Sequence, residues 1–118
     1  MIERSQRLIS QLTEKTQQGK LSWTTAFEDG QFKTVLPGGS LWFVVQAKGD
    51  LRKFIMFDDH QETVLEEVIT KTETENEPAH HPKLILYSAI GKLQELARIQ
   101  ALQVEDKLAK AEQLLAAI

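Results

Sequence analysis

The C-terminal third of the chain has the composition of one long helix. No glycine or proline follows Gly91, and the helix-favouring residues alanine, leucine, glutamine, glutamate and lysine dominate the segment 83–118. Apolar residues recur there every three or four positions, at Leu86, Ile90, Leu93, Ala97, Ala101, Val104, Leu108, Ala111, Leu115 and Ile118. This spacing predicts a helix with one apolar face.

A continuous helix of this length does not fit inside a chain of 118 residues. The helix would be about 50 Å long, whereas a compact domain of this size has a diameter of about 35 Å. Either the helix breaks, with the polar stretch 103–107 as the expected place, or its end projects. A projecting end would leave Leu108, Leu114, Leu115 and Ile118 uncovered unless a second chain covered them. A helical hairpin folded back on itself is the alternative.

The segment 21–72 has the short apolar runs and frequent turn signals of an antiparallel sheet. Asp29-Gly30 predicts a two-residue hairpin turn in which both residues have positive φ. Four strands are predicted, at 23–27, 31–35, 40–46 and 51–57. Because the turns between them are short, we expect a meander in which each strand pairs with the next.

The assignment of the segment 63–72 is ambiguous. Its apolar residues fit one face of a helix, but its many β-branched residues favour a strand. We predict a strand and keep the helix as the alternative. The following segment, 73–82, is acidic and lacks large apolar residues, so it predicts a flexible linker.

The first segment, 1–19, predicts a helix with a narrow apolar stripe that Gly19 is suited to end. The whole chain, 1–118, is therefore predicted to be a single α+β domain. Its parts are the N-terminal helix, a four- to five-stranded antiparallel meander over 21–72, the linker, and a long C-terminal helix over 83–118, continuous or broken.

The stretch 40–46 (SLWFVVQ) does not alternate as a strand with one wet face should. Leu41, Phe43 and Val45 face one way, whereas Trp42 and Val44 face the other. The next strand has the same property, with Phe54 and Met56 opposed to Ile55 and Phe57. The centre of the sheet is thus predicted to be apolar on both faces.

The narrow N-terminal helix offers little to cover a second apolar face. One helix on each face of a monomer is one solution, and a partner on the face that carries Trp42 is the other. Together, the sheet and the end of the C-terminal helix give a candidate interface. Its residues are Trp42, Val44, Phe54, Met56, Leu108, Leu115 and Ile118.

Composition excludes several classes of function. The net charge of −3 gives no electrostatic basis for binding nucleic acid or an anionic membrane. The chain has no cysteine, which excludes disulfides, thiolate metal sites and cysteine nucleophiles. Its first twelve residues lack the apolar run of a signal peptide, and no stretch is long and apolar enough to span a bilayer. We therefore predict a cytoplasmic protein.

One turn collects groups that could bind a cation. Asp58, Asp59, His60 and Glu62 follow the fourth strand, and divalent cations prefer such oxygen ligands. The run lacks the spacing and glycine of an EF-hand loop, so a solvated turn is the main interpretation. The pair His80-His81 is also a weak metal signal, because adjacent side chains point in opposite directions.

The predicted function is a non-enzymatic protein–protein interaction module, homodimeric, that acts through the two-faced sheet or the C-terminal helix. No cofactor is predicted. The alternative is a small-ligand binding protein or enzyme with a pocket between sheet and helix and with His60 at its mouth. A third hypothesis is binding of single-stranded nucleic acid through basic turns that carry Lys20, Lys33, Lys48, Arg52 and Lys53 and lie near Trp23 and Phe27 or Trp42.

Overall fold

The structure is a computed structural model that describes residues 2–118. Its elements are α1 (Ile2–Gln17), β1 (Thr24–Thr25), β2 (Gln31–Val35), β3 (Leu41–Lys48), β4 (Leu51–Asp58), β5 (Thr63–Thr70), one turn of 3₁₀ helix (Lys71–Thr74) and α2 (Pro82–Ala116). The strands form one antiparallel sheet in the order β1-β2-β3-β4-β5. The predicted α+β class, with a helix, a five-stranded meander and a long helix, is confirmed.

The turns differ in how well the sequence predicted them. β3 and β4 are joined by a two-residue turn that pairs Lys48 with Leu51, and Gly49 has a φ of +55°. The two-residue turn predicted at Asp29-Gly30 is wrong, because only Gly30 of the two residues has a positive φ. Residues 26–30 form a longer loop, closed by a hydrogen bond from the amide of Gln31 to the carbonyl of Glu28 at 3.1 Å.

The strand prediction for 63–72 is confirmed over Thr63–Thr70, and the chain then enters the 3₁₀ turn. Leu65 and Ile69 are buried on one side of this strand. The buried residues therefore follow the two-residue period of a strand and not the period of a helix. Thr74, at the end of the 3₁₀ turn, is also buried.

His81 caps α2, because its Nδ1 accepts a hydrogen bond from the amide of Lys83 at 3.2 Å.

Both helices pack on the same face of the sheet, which we call the inner face. The helices contribute Ile9, Leu12, Leu86, Ile90, Leu93, Ala97 and Ala101 to one buried cluster with Phe32, Phe43, Val45, Phe54, Leu65 and Ile69 of the sheet. The helices run side by side from a common end, where Gln6 donates a hydrogen bond to the carbonyl of Pro82 at 3.1 Å. The narrow stripe of α1 is sufficient because α1 shares the inner face with α2.

α2 is continuous over 35 residues, so of the two alternatives the helix does not break at 103–107 and its end projects. Ala101 is the last buried residue of α2, and every residue from 102 to 118 is exposed. The molecule measures 59 × 30 × 25 Å as a consequence. We call the exposed part, residues 102–118, the tail.

Candidate functional site

The face of the sheet opposite the helices, which we call the outer face, is covered by no helix within residues 2–118. Its central row runs across four strands, from Lys33 to Val44, Ile55 and Glu66. Other members of the face include Val35, Trp42, Gln46, Lys53, Phe57 and Val68. The face is therefore mainly apolar at its centre, with a lysine at one side and a glutamate at the other.

Aromatic residues partly cover this face themselves. The rings of Trp42 and Phe57 are stacked, with centroids 4.1 Å apart, and the ammonium of Lys33 lies 5.8 Å from the Trp42 ring. Trp42 Nε1 donates a hydrogen bond to the carbonyl of Asp58 at 3.3 Å. Trp42 is consequently half-buried and Val44 and Ile55 are buried, so that the exposed apolar residues of this face include Val35 and Val68.

The structure divides the four candidate interface residues of the sheet between its two faces. Trp42 pairs with Phe57 and Val44 pairs with Ile55, whereas Phe54 and Met56 face the helices. The grouping of Phe54 and Met56 with Trp42 is therefore wrong, and we leave both out of the contact surface. The two-residue turn at Gly49 sets this register, because it places even-numbered residues of β3 opposite odd-numbered residues of β4.

The tail continues the apolar face with which α2 contacts the sheet. The residues that follow Ala101 on this face, which we call the tail seam, are Val104, Leu108, Ala111, Leu115 and Ile118. Of their side chains, Leu108 is 53% exposed and Leu115 is 70% exposed. Glu105 and Glu112 lie along one flank of the seam and Lys107 lies along the other. The candidate residues Leu108, Leu115 and Ile118 are thus brought together on one surface.

The base of the tail is fixed to the domain by hydrogen bonds. The amide of Trp23 donates to Oε1 of Gln100, and Nε2 of Gln100 donates to the carbonyl of Leu21, both at 2.6 Å. Trp23 is fully buried, and its Nε1 donates to the hydroxyl of Thr16 at 2.9 Å. The direction in which the tail leaves the domain is therefore set by a partly buried network of hydrogen bonds.

The turn at Asp58 is held by its own backbone. Oδ1 of Asp58 accepts hydrogen bonds from the amides of His60 at 2.9 Å and Glu62 at 3.0 Å. Asp59 and His60 are exposed, with the His60 Nε2 to Asp59 Oδ1 distance at 3.8 Å. Within residues 2–118 no group of three potential metal ligands occurs. The carboxylate of Asp58 thus accepts hydrogen bonds from the backbone that shape the turn.

A cleft of about 370 Å³ opens between α1 and the turn that joins β2 and β3. Its lining is mostly aliphatic and aromatic, with Leu8, Leu12, Leu36 and Phe43 among the residues. His60 lies at the turn after β4 and is not part of this lining. The structure therefore has a cleft between sheet and helix, but not the one that the sequence predicted.

The basic residues near the early turns are distributed over two faces. Arg52 lies on the inner side, 4.7 Å from the ring of Tyr87, and donates to the carbonyls of Gly49 and Leu51. Lys33 and Lys53 belong to the outer face. The basic cluster expected for nucleic-acid binding is therefore split by the sheet.

Phe27 is one of the aromatic residues that the sequence places near the basic turns, and its side chain is exposed. It lies in the loop 26–30 and is 92% exposed. The neighbouring Glu28 accepts a hydrogen bond from Nε2 of Gln46, on the outer face, at 3.0 Å. Phe27 lies outside β1, which ends at Thr25, because the loop is longer than the two-residue turn predicted from the sequence.

No family model, curated protein or solved structure matches this chain. Within residues 2–118, neither helix combines the length and the apolar character that crossing a bilayer requires.

Proposed function

We propose that the protein is a non-enzymatic protein–protein interaction module that forms a homodimer through its tail. The observation that carries the proposal is the continuity of the apolar face of α2. This face is buried against the sheet as far as Ala101 and continues, uncovered, through Leu108 and Leu115. A contiguous apolar surface of this kind is typical of an interaction site.

Burial of the apolar side chains of the tail determines the expected order of magnitude of the dissociation constant. Burying a large aliphatic side chain contributes about 1.5–3 kcal/mol when it moves from full exposure. Leu108 and Leu115 of two copies start from partial exposure and have to offset the entropic cost of association. We therefore expect a dimer with a dissociation constant in the micromolar range and not in the nanomolar range.

Sedimentation equilibrium at tens of micromolar protein tests the proposal. The natural chain is expected to be a dimer, and Leu108→Glu/Leu115→Glu is expected to be a monomer. Leu102→Glu is the matched control, because Leu102 is exposed on the same helix but lies off the seam. A natural chain that stays monomeric, or a double variant with unchanged mass, would contradict the proposal.

The cleft supports a second candidate function, the binding of a small apolar ligand. A volume of about 370 Å³ lined by Leu8, Leu12 and Phe43 lies within the range of small-molecule sites. Thermal unfolding in the presence of a panel of aliphatic and aromatic compounds tests this function. Stabilisation that Leu8→Arg abolishes would support it, and no stabilisation by any compound would contradict it.

A further inference from the structure

We propose that the tail of each chain packs across the outer face of a second copy, so that one symmetric dimer covers both uncovered surfaces. We call this arrangement the crossed-tail dimer. It rests on the proposed dimerisation through the tail, and it adds the surface to which the tail binds.

The path of α2 determines where the tail emerges. α2 begins near the end of β5, where the ammonium of Lys83 lies 3.9 Å from the carboxylate of Glu73. Farther along, Nε2 of Gln94 donates to the carbonyl of Gly30 at 3.1 Å, and Gln100 bonds to the segment before β1. α2 thus crosses the sheet from β5 to β1, and the tail leaves past the β1 edge.

The orientation of the tail seam limits what can cover it. The same side of one continuous helix faces the inner face of the sheet up to Ala101 and is uncovered from Val104 onward. A surface that covers the seam must therefore continue the plane of the chain's own sheet. A second sheet placed beside the β1 edge meets this condition.

Twofold symmetry then determines which face of the second sheet lies against the tail of the first copy. A twofold axis that lies in the plane of the two sheets, between their β1 edges, turns the second copy over. Its outer face is then directed towards the tail of the first copy, and the tail of the second copy lies against the outer face of the first. The contact is isologous and closed, as in most soluble dimers.

The dimensions of the two surfaces agree. Five strands spaced by about 4.8 Å give a sheet roughly 24 Å wide. The tail, at about 1.5 Å per residue, is roughly 25 Å long. A tail that runs from β1 towards β5 therefore has a length comparable to the width of the outer face.

The charges on the two surfaces are complementary. Glu105 and Glu112 lie on one flank of the tail, separated along its axis by about 10.5 Å. Lys33 on β2 and Lys53 on β4 belong to the outer face, and their strands are about 9.6 Å apart. A tail that enters over β1 brings Glu105 towards β2 and Glu112 towards β4. Each acidic residue then lies over a strand that carries a lysine.

A charge exchange in the full chain tests the crossed-tail dimer. We expect Lys33→Glu/Lys53→Glu to raise the dissociation constant at least about tenfold, because it places like charges opposite the glutamates of the tail. Glu105→Lys/Glu112→Lys should have a similar effect, and the four substitutions together should restore dimerisation. Lys92→Glu, on α2 beside α1, is the control and should leave the dissociation constant unchanged.

An uncharged site gives an independent measurement. Val68 is exposed on the outer face and Ile85 is equally exposed on α2, so Val68→Glu should weaken the dimer and Ile85→Glu should not. Circular dichroism establishes that each variant is folded. Dimers that tolerate every outer-face change but dissociate with Leu108→Glu/Leu115→Glu would show that the tails pair with each other. That result overturns the crossed-tail dimer and leaves the proposed function standing, whereas a monomeric natural chain overturns both.

Discussion

The hydroxyl of Thr16 is predicted to be worth about 2 kcal/mol of folding stability. It donates a hydrogen bond to the carbonyl of Leu12 at 2.7 Å and accepts one from Nε1 of Trp23 at 2.9 Å. Trp23 is fully buried, so no solvent can replace the lost acceptor. Thr16→Val keeps the shape of the side chain and replaces the hydroxyl group with a methyl group. A buried donor without a partner costs about 1–3 kcal/mol.

Urea unfolding at 25 °C, followed by circular dichroism, measures this change in the free energy of unfolding. With an m-value of about 1.5 kcal/mol per molar urea, a loss of 2 kcal/mol lowers the midpoint by about 1.3 M. Thr16→Ser is the matched control, because it retains the oxygen and loses only a methyl group. We expect it to be less destabilising than Thr16→Val.

A double-mutant cycle separates the hydrogen bond from the packing. Trp23→Phe removes the donor, so Thr16→Val should cost little in that background. The reasoning is refuted if Thr16→Val changes the free energy of unfolding by less than about 0.5 kcal/mol, the usual scatter for neutral surface substitutions. An equal cost in both backgrounds would also refute it, because the effect would then not depend on Trp23.

Two further predictions concern the loop 26–30 and the surface of α2. Gly30→Ala should destabilise by more than about 2 kcal/mol, because positive φ alone costs about 1–2 kcal/mol and the new Cβ would lie 2.4 Å from the carbonyl oxygen of Ala47. Gly19→Ala is the control, since Gly19 has the same φ and open space around it; an equal cost for both would contradict the clash. The hydrogen bond from Arg98 holds the pKa of Glu95 below its ordinary value, so the stabilisation is present above the ordinary pKa and is lost as the pH falls through the folded-state value. A carbon-detected NMR titration should show this pKa rising in Arg98→Gln, and an unchanged pKa would contradict the assignment.

The order of the elements could be predicted from the sequence because it depends on local patterns. Apolar spacing of three and four residues indicated α2, and β-branched residues indicated β5. The sequence did not decide whether α2 continues through 103–107. A polar stretch reduces the apolar surface with which a helix packs, but it does not break the backbone hydrogen bonds of the helix. Only tertiary geometry shows that this stretch already lies outside the domain.

The face of each strand residue was harder to predict, because it depends on register. Trp42 and Phe54 were grouped although the turn at Gly49 places them on opposite faces. The importance of Trp23 was also missed. Nothing in its local sequence distinguishes the tryptophan that is fully buried from the half-buried Trp42, because burial of Trp23 arises from contacts with Thr16 and with residues of α2 far along the chain.

The length of α2 and the two apolar faces of the sheet are connected in the crossed-tail dimer. A helix of 35 residues is about 52 Å long, roughly twice the width of a five-stranded sheet. The first half of the helix is sufficient to cover the inner face of its own chain. The second half has the length to cover one more face, and the outer face is the one that lacks a helix. Exchange of tails by a twofold axis would give each sheet a helix on both sides and would cover Val35 and Val68, which the outer face exposes in the single chain.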